Sequence, residues 1–158
     1  MDHYRPDKNI WDHHDFKIMG WHDATIWSMV ANTESFEFLI DLDYIFKWVD
    51  PGPGETYYKF WVAPVTMVFE NAFDVRVDIQ SSQGDMEISA LHCTELGPSP
   101  NGKFTQYKFC FACQEGEVSL QATGYKMYIR QSPTLLDRQS LGFLSRGGVS
   151  FDRSVSNS

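Results

Sequence analysis

Lysine and arginine are scarce: 13 of them stand against 21 aspartates and glutamates in a chain of 158 residues, leaving a formal net charge of −8. Phosphate backbones and anionic lipid surfaces are held by Lys and Arg, so this balance argues against a nucleic-acid or membrane partner and suits a basic protein partner. Cysteine is scarce too. Cys93, Cys110 and Cys113 are the three thiols, an odd and scattered set in a chain large enough to bury a core unaided, which does not describe a secreted disulfide framework. No run approaches the roughly 18 consecutive apolar residues of a spanning helix, and residues 1–10 lack the apolar stretch of a signal peptide. A cytoplasmic location is the default expectation. A Ser nucleophile elbow, a phosphate-cradling glycine loop and a dinucleotide fingerprint are missing as well, so no cofactor is expected.

Aromatic residues are abundant, with 12 Phe, seven Tyr and five Trp, and aromatics favour strands and large buried contacts. Through residues 36–48 every even position is apolar, from Phe36 and Phe38 to Phe46 and Trp48, while Glu37, Asp41, Asp43 and Lys47 stand at odd ones. Period-two alternation of this length predicts a strand with one buried and one wetter face, and its length predicts a bulge or strong twist near the middle. Residues 25–32 predict a strand before it. Residues 60–69 are apolar at both parities and predict a central strand covered on both sides, with an edge or bulge at Pro64, which has no N–H to give. Residues 73–79, 86–96 and 104–112 predict further strands. In residues 117–130 the apolar parity switches from even to odd at Gly124, which predicts one long strand with a bulge. Residues 134–145 carry Leu135, Leu136, Leu141, Phe143 and Leu144 among polar residues and predict a short helix ended by Arg146, Gly147 and Gly148.

The organisation expected is one domain over residues 1–153 and a disordered tail over 154–158, with a loosely docked start up to His14 and a short turn at Ile10 and Trp11. The fold class expected is mainly β: an antiparallel β-sandwich or open barrel of about seven strands with one or two short helices.

Few residues group in ways that carry chemistry. Cys110 and Cys113 have C-x-x-C spacing, but on a strand they point to opposite faces and no second pair completes a zinc ribbon. His13, His14, His22 and Asp23 form the densest set of potential metal ligands, whose alternative reading is a small metal-dependent enzyme. Their bland reading is a polar corner in which Asp23 accepts backbone N–H groups and His22 packs beside it. His92 stands alone on a strand. Glu37, Asp41 and Asp43, with Leu39, Ile45 and Val49 between them, make a mixed acidic and apolar face that suits a protein partner if no element of the chain covers it. A further alternative is a small-ligand carrier with aromatics around a cavity.

The segment Gly20, Trp21, His22, Asp23, Ala24, Thr25 and Ile26 resembles the opening strand of small bacterial immunity proteins of polymorphic toxin systems and of related bacterial domains. The resemblance implies a strand-rich, non-catalytic bacterial binding protein that blocks a toxin, with His22 and Asp23 serving either the fold or the partner. With the acidic balance, it leads to the expectation of a protein-binding domain for a basic partner.

Overall fold

The alternation through residues 36–48 does form a strand, and the rest of the molecule is arranged around it. The computed structural model describes residues 3–156. In chain order it contains β1 (Ile10–Asp12), a short 3-10 helix (His13–Ile18), β2 (Thr25–Asn32), β3 (Glu37–Val49), β4 (Lys59–Glu70), β5 (Phe73–Ile79), β6 (Met86–Pro98), β7 (Thr105–Cys113), β8 (Gly116–Ala122), β9 (Gly124–Ile129) and β10 (Thr134–Leu136). All pairings are antiparallel, in the order β1-β9-β4-β3-β2-β6-β7-β8-β5, with β10 beside the start of β4. The mainly β, antiparallel expectation holds, as one open ten-stranded sheet not closed into a barrel. No helix among the described residues is long and apolar enough to cross a membrane.

The sheet folds over on itself. β2 and β6 are joined through only two residue pairs, Thr25 with Glu87 and Ile26 with Met86. On either side of that seam, two half-sheets turn apolar faces toward each other. Phe38, Ile40, Leu42 and Tyr44 of β3 and Val65, Met67 and Phe69 of β4 meet Phe109 and Phe111 of β7 and Val118 and Leu120 of β8 in one core. Phe69 packs on Phe109 with ring centroids 5.0 Å apart, and Trp21 meets Tyr44 at 5.2 Å. Aromatic rings from both half-sheets thus pack against one another in this core.

Several expectations are corrected. Residues 117–130 are not one bulged strand: β8 pairs with β7 and β5, whereas β9 pairs with β4 and β1. The chain crosses from one half-sheet to the other at Thr123 and Gly124, so opposite parities face the same core. Gly124 is required there, because an added Cβ would lie 2.4 Å from Nδ1 of His13. Residues 134–145 form β10 and turns instead of a helix, because Leu135 and Leu136 pair with Trp61 and Phe60. Ile10 and Trp11 belong to β1 instead of a loose start. Of the tail, residues 154–156 are docked: the Ser156 N–H donates to the Ile129 carbonyl at 2.9 Å, and Asn9 Nδ2 donates to the Ser156 carbonyl at 2.7 Å. Met1, Asp2, Asn157 and Ser158 lie outside the described residues.

β4 is buried along residues 60–69 as expected. Pro64 fits because the carbonyl on the same side of its residue faces the gap between β9 and β10, where the Arg130 N–H donates to it at 3.0 Å, and its missing N–H falls in that gap. The irregularity expected in β3 lies toward its end, between Ile45 and Lys47, and a second bulge lies in β2 between Ile26 and Ser28.

Candidate functional site

The outer face of β3 is the first place to look, since Asp41 and Asp43 project from it. It is not the open surface expected for a partner: residues 137–156 of the same chain lie over it, and both carboxylates are fully buried. Arg146, also buried, reaches across them. Its Nη2 and Nη1 donate to the two oxygens of Asp41 at 2.6 and 2.9 Å, and its Nε donates to Asp43 Oδ1 at 3.0 Å. Arg130 Nη2 adds a bond to Asp41 Oδ1 at 2.8 Å, and its Nη1 donates to Thr66 Oγ1, also at 2.8 Å. The remaining acceptor capacity is met by the N–H groups of Leu141 and Ser150 and by the Trp27 indole, at 2.9, 3.0 and 2.8 Å. Two guanidinium groups thus balance two carboxylates, and each charge is hydrogen-bonded, the condition under which buried ions are tolerated. Burial works against the charge on Arg146, but Asp41 and Asp43 outweigh it and hold its pKa above the ordinary arginine value.

Gly147 and Gly148 make this possible. Both have left-handed backbone, φ 81° and 71°, which reverses the chain and returns the Gly148 carbonyl to Arg146 Nη1. Glu37, nearer the start of β3, pairs with Arg153, which holds its carboxyl below its ordinary range. Glu37, Asp41 and Asp43 therefore fasten the C-terminal segment to the sheet.

The bulge in β2 turns Trp27 outward, where the Arg146 guanidinium stacks over its ring at 4.8 Å. The same indole forms one wall of a cleft of about 540 Å³ at the seam between the half-sheets. Its other walls are Asp23, Thr25 and Ile26, the turn at Gln83, Gly84 and Asp85, the start of β6 at Met86 and Glu87, and Arg138, Gln139 and Ser140. Asp23, Asp85 and Glu87 give it three carboxyl groups against one guanidinium. Asp23 has φ 69°, a left-handed conformation that Asp tolerates better than most residues, and its N–H donates to the Ile88 carbonyl at 2.8 Å. Gln139 Nε2 donates to Asp23 Oδ2 at 2.7 Å. The Glu87 carboxyl is raised above its ordinary range, first by burial and then by the Asp23 carboxyl beside it, with Glu115 adding to the effect and His22 opposing it. Carboxyl groups crowded together in this way favour a nearby cation, which offsets their mutual repulsion.

The four residues considered as a metal set do not assemble. His22 is exposed, 3.4 Å from Asp23 by Nε2 and 3.2 Å from the Ser89 carbonyl by Nδ1, and stacks on Trp48. His13 lies in the 3-10 helix, with His14 beside it at a centroid distance of 4.1 Å and Tyr107 at 5.5 Å. Among the described residues, the potential ligand atoms that come together are those of Asp12, His13 and His14, within 4.8 Å of one another. Asp12 already serves there as the helix cap, accepting from the His14 N–H at 2.8 Å. Burial, then His14, lowers the His13 pKa, while Asp12, Glu70 and the Tyr125 backbone oppose the shift.

The thiols of Cys93, Cys110 and Cys113 are all free. All three have raised pKa values, burial being the main cause, and Cys113 is pushed up to about 11. Such thiols are poor nucleophiles at neutral pH. His92 is an exposed residue of β6.

The chain matches no protein-family model, no curated protein and no solved structure. The seam cleft and the chemistry of its walls are therefore the ground for a functional reading.

Sequence reasoning reaches Asp23 and His22 but not Asp85, Glu87, Arg138 and Gln139, which come from two other stretches of the chain. It also missed Arg146 and Arg130 as partners of the β3 carboxylates. The available signal was the pair Asp41 and Asp43 inside an otherwise apolar strand, since buried acids need cations.

Proposed function

We propose that this chain is a non-catalytic protein-binding domain that receives a basic side chain of its partner in the acidic cleft at the seam. The observation that carries the reading is the crowding of Glu87 against Asp23 in a cleft where carboxyl groups outnumber guanidinium groups three to one. A Lys or Arg head group entering there relieves the repulsion and gains charge-assisted hydrogen bonds. The net charge of −8 steers a basic partner toward the molecule over longer distances. The indole of Trp27 offers an apolar wall on which the stem of a long basic side chain can lie.

The resemblance of residues 20–26 to bacterial immunity proteins supports this reading, because that segment supplies Asp23 to the cleft, with His22 3.4 Å from it. In its specific form the proposal is an immunity-type inhibitor that holds a basic toxin in the bacterial cytoplasm. The test is affinity capture from the native host with wild-type protein and with the Asp85→Asn/Glu87→Gln variant as baits, followed by cross-linking. The expected result is a basic protein cross-linked near the cleft, retained by the wild type and at least tenfold weaker on the variant. Equal retention by both baits, or cross-links confined to another face, would refute the cleft as the site.

A further inference from the structure

β5 lies at one end of the strand order, so among the described residues one side of it has no neighbour in the sheet. Its apolar residues are unusually open for a strand: Val75 is 41% exposed and Val77 50%. The direction of the backbone groups follows from the hydrogen bond of the Gln80 N–H to the Glu115 carbonyl, at 3.0 Å. With Asp78 opposite Glu117 and Arg76 opposite Ser119, even-numbered residues turn their N–H and C=O groups toward β8. The groups of Val77 and Ile79 consequently face outward.

Residues 75–79 read Val-Arg-Val-Asp-Ile. Laid antiparallel against itself about Val77, this segment puts Val77 opposite Val77, Arg76 opposite Asp78 and Val75 opposite Ile79. The outward backbone groups of Val77 and Ile79 then fall at the hydrogen-bonded positions of the new ladder. Within the chain, Asp78 stands opposite Glu117, a like-charge neighbour that disfavours the pairing. No ion pair of Arg76 occurs among the described residues. The register supplies each with an opposite charge.

We infer that β5 is a homodimerisation edge, on which a second copy of this chain pairs across a two-fold axis at Val77. The kink at Asp74, with φ 53°, ends the ladder after a few residues. A two-fold pairing uses the edge on both copies, so the assembly closes at two. Phe36, 67% exposed, borders a groove with Val75 and extends the apolar area beside the strand.

The test is sedimentation velocity of the full chain over a concentration series reaching the sub-millimolar range, with circular dichroism confirming the fold of each variant. Both Arg76 and Asp78 are exposed, so reversing their charges leaves the core untouched. Wild type is expected to dimerise. Arg76→Asp alone and Asp78→Arg alone are each expected to dissociate at least tenfold more readily, because like charges then face each other. An equimolar mixture of the two single variants, and the Arg76→Asp/Asp78→Arg double variant by itself, are expected to regain the dimer. A wild type that stays monomeric throughout, or a dimer indifferent to these reversals, would overturn the inference.

Discussion

Arg146 carries its charge where charge is expensive to place, and it is held by residues far away in the chain: Asp41 lies 105 positions earlier. Removing one partner of such a cluster leaves the others buried and uncompensated, a loss of about 3–5 kcal/mol. Arg146→Ala is therefore expected to lower the unfolding free energy by about that amount in urea titration. Arg146→Lys should recover only a small part, because one ammonium cannot replace a fork that bonds to Asp41 through two nitrogens and to Asp43 through a third. If Arg146→Ala unfolds like the wild type, the cluster contributes nothing to fastening the segment. The same residue shows why charge at a single position is hard to read in sequence. Next to Gly147 and Gly148 it looks like the polar end of a helix, and only the covered face of β3 reveals it as a counter-ion.

At the level of elements, local pattern and long-range pairing part company at identifiable places. The alternation of residues 36–48 reports the inner face of β3 faithfully, since Phe38, Ile40, Leu42 and Tyr44 all enter the core. It cannot report what lies over the outer face, because residues 137–156 have no periodicity of their own and are held by side-chain bonds and by Leu141 packing on Ile45, Phe60 and Val62. The parity switch at Gly124 was equally visible, but a bulge within one strand and a crossing between two half-sheets give the same local pattern; the pairings of β8 and β9 decide between them. In the cleft, Asp23 was legible as a polar corner, whereas Glu87 reads as an ordinary wet-face residue until β6 is placed beside β2. The crossing also makes a prediction. A methyl group at residue 124 would overlap the His13 ring, so Gly124→Ala should push the 3-10 helix away from β9 and cost about 1–3 kcal/mol. Faster hydrogen exchange confined to residues 10–18 and the β8–β9 junction would confirm this, and unchanged exchange there would contradict it.

For the whole molecule, the cleft and the 3-10 helix set opposing pH dependences that variants can separate. Glu87 holds its proton more tightly folded than unfolded. Between its raised folded pKa and the ordinary value of 4.5, the folded state binds more protons, so this residue adds stability as pH falls through that window. His13 acts in the other direction. Its folded pKa lies below 6.5, so the unfolded chain takes up a proton first and stability is lost as pH falls from that value. Asp15 and Glu37, depressed chiefly by Lys8 and Arg153, stabilise the fold at neutral pH, and that contribution disappears only as pH falls through their lowered values. Self-repulsion also weakens as pH approaches the isoelectric point of about 4.9. Glu87→Gln is thus expected to be more stable than wild type at neutral pH, with the difference shrinking to nothing by about pH 4. His13→Gln should shift the balance the other way, losing the sensitivity of stability just below pH 6.5. Melting temperatures of the three proteins across this range measure both effects at once. A Glu87→Gln advantage that is constant with pH would mean the carboxyl is not crowded by Asp23, and would remove the electrostatic basis for a cation in the cleft.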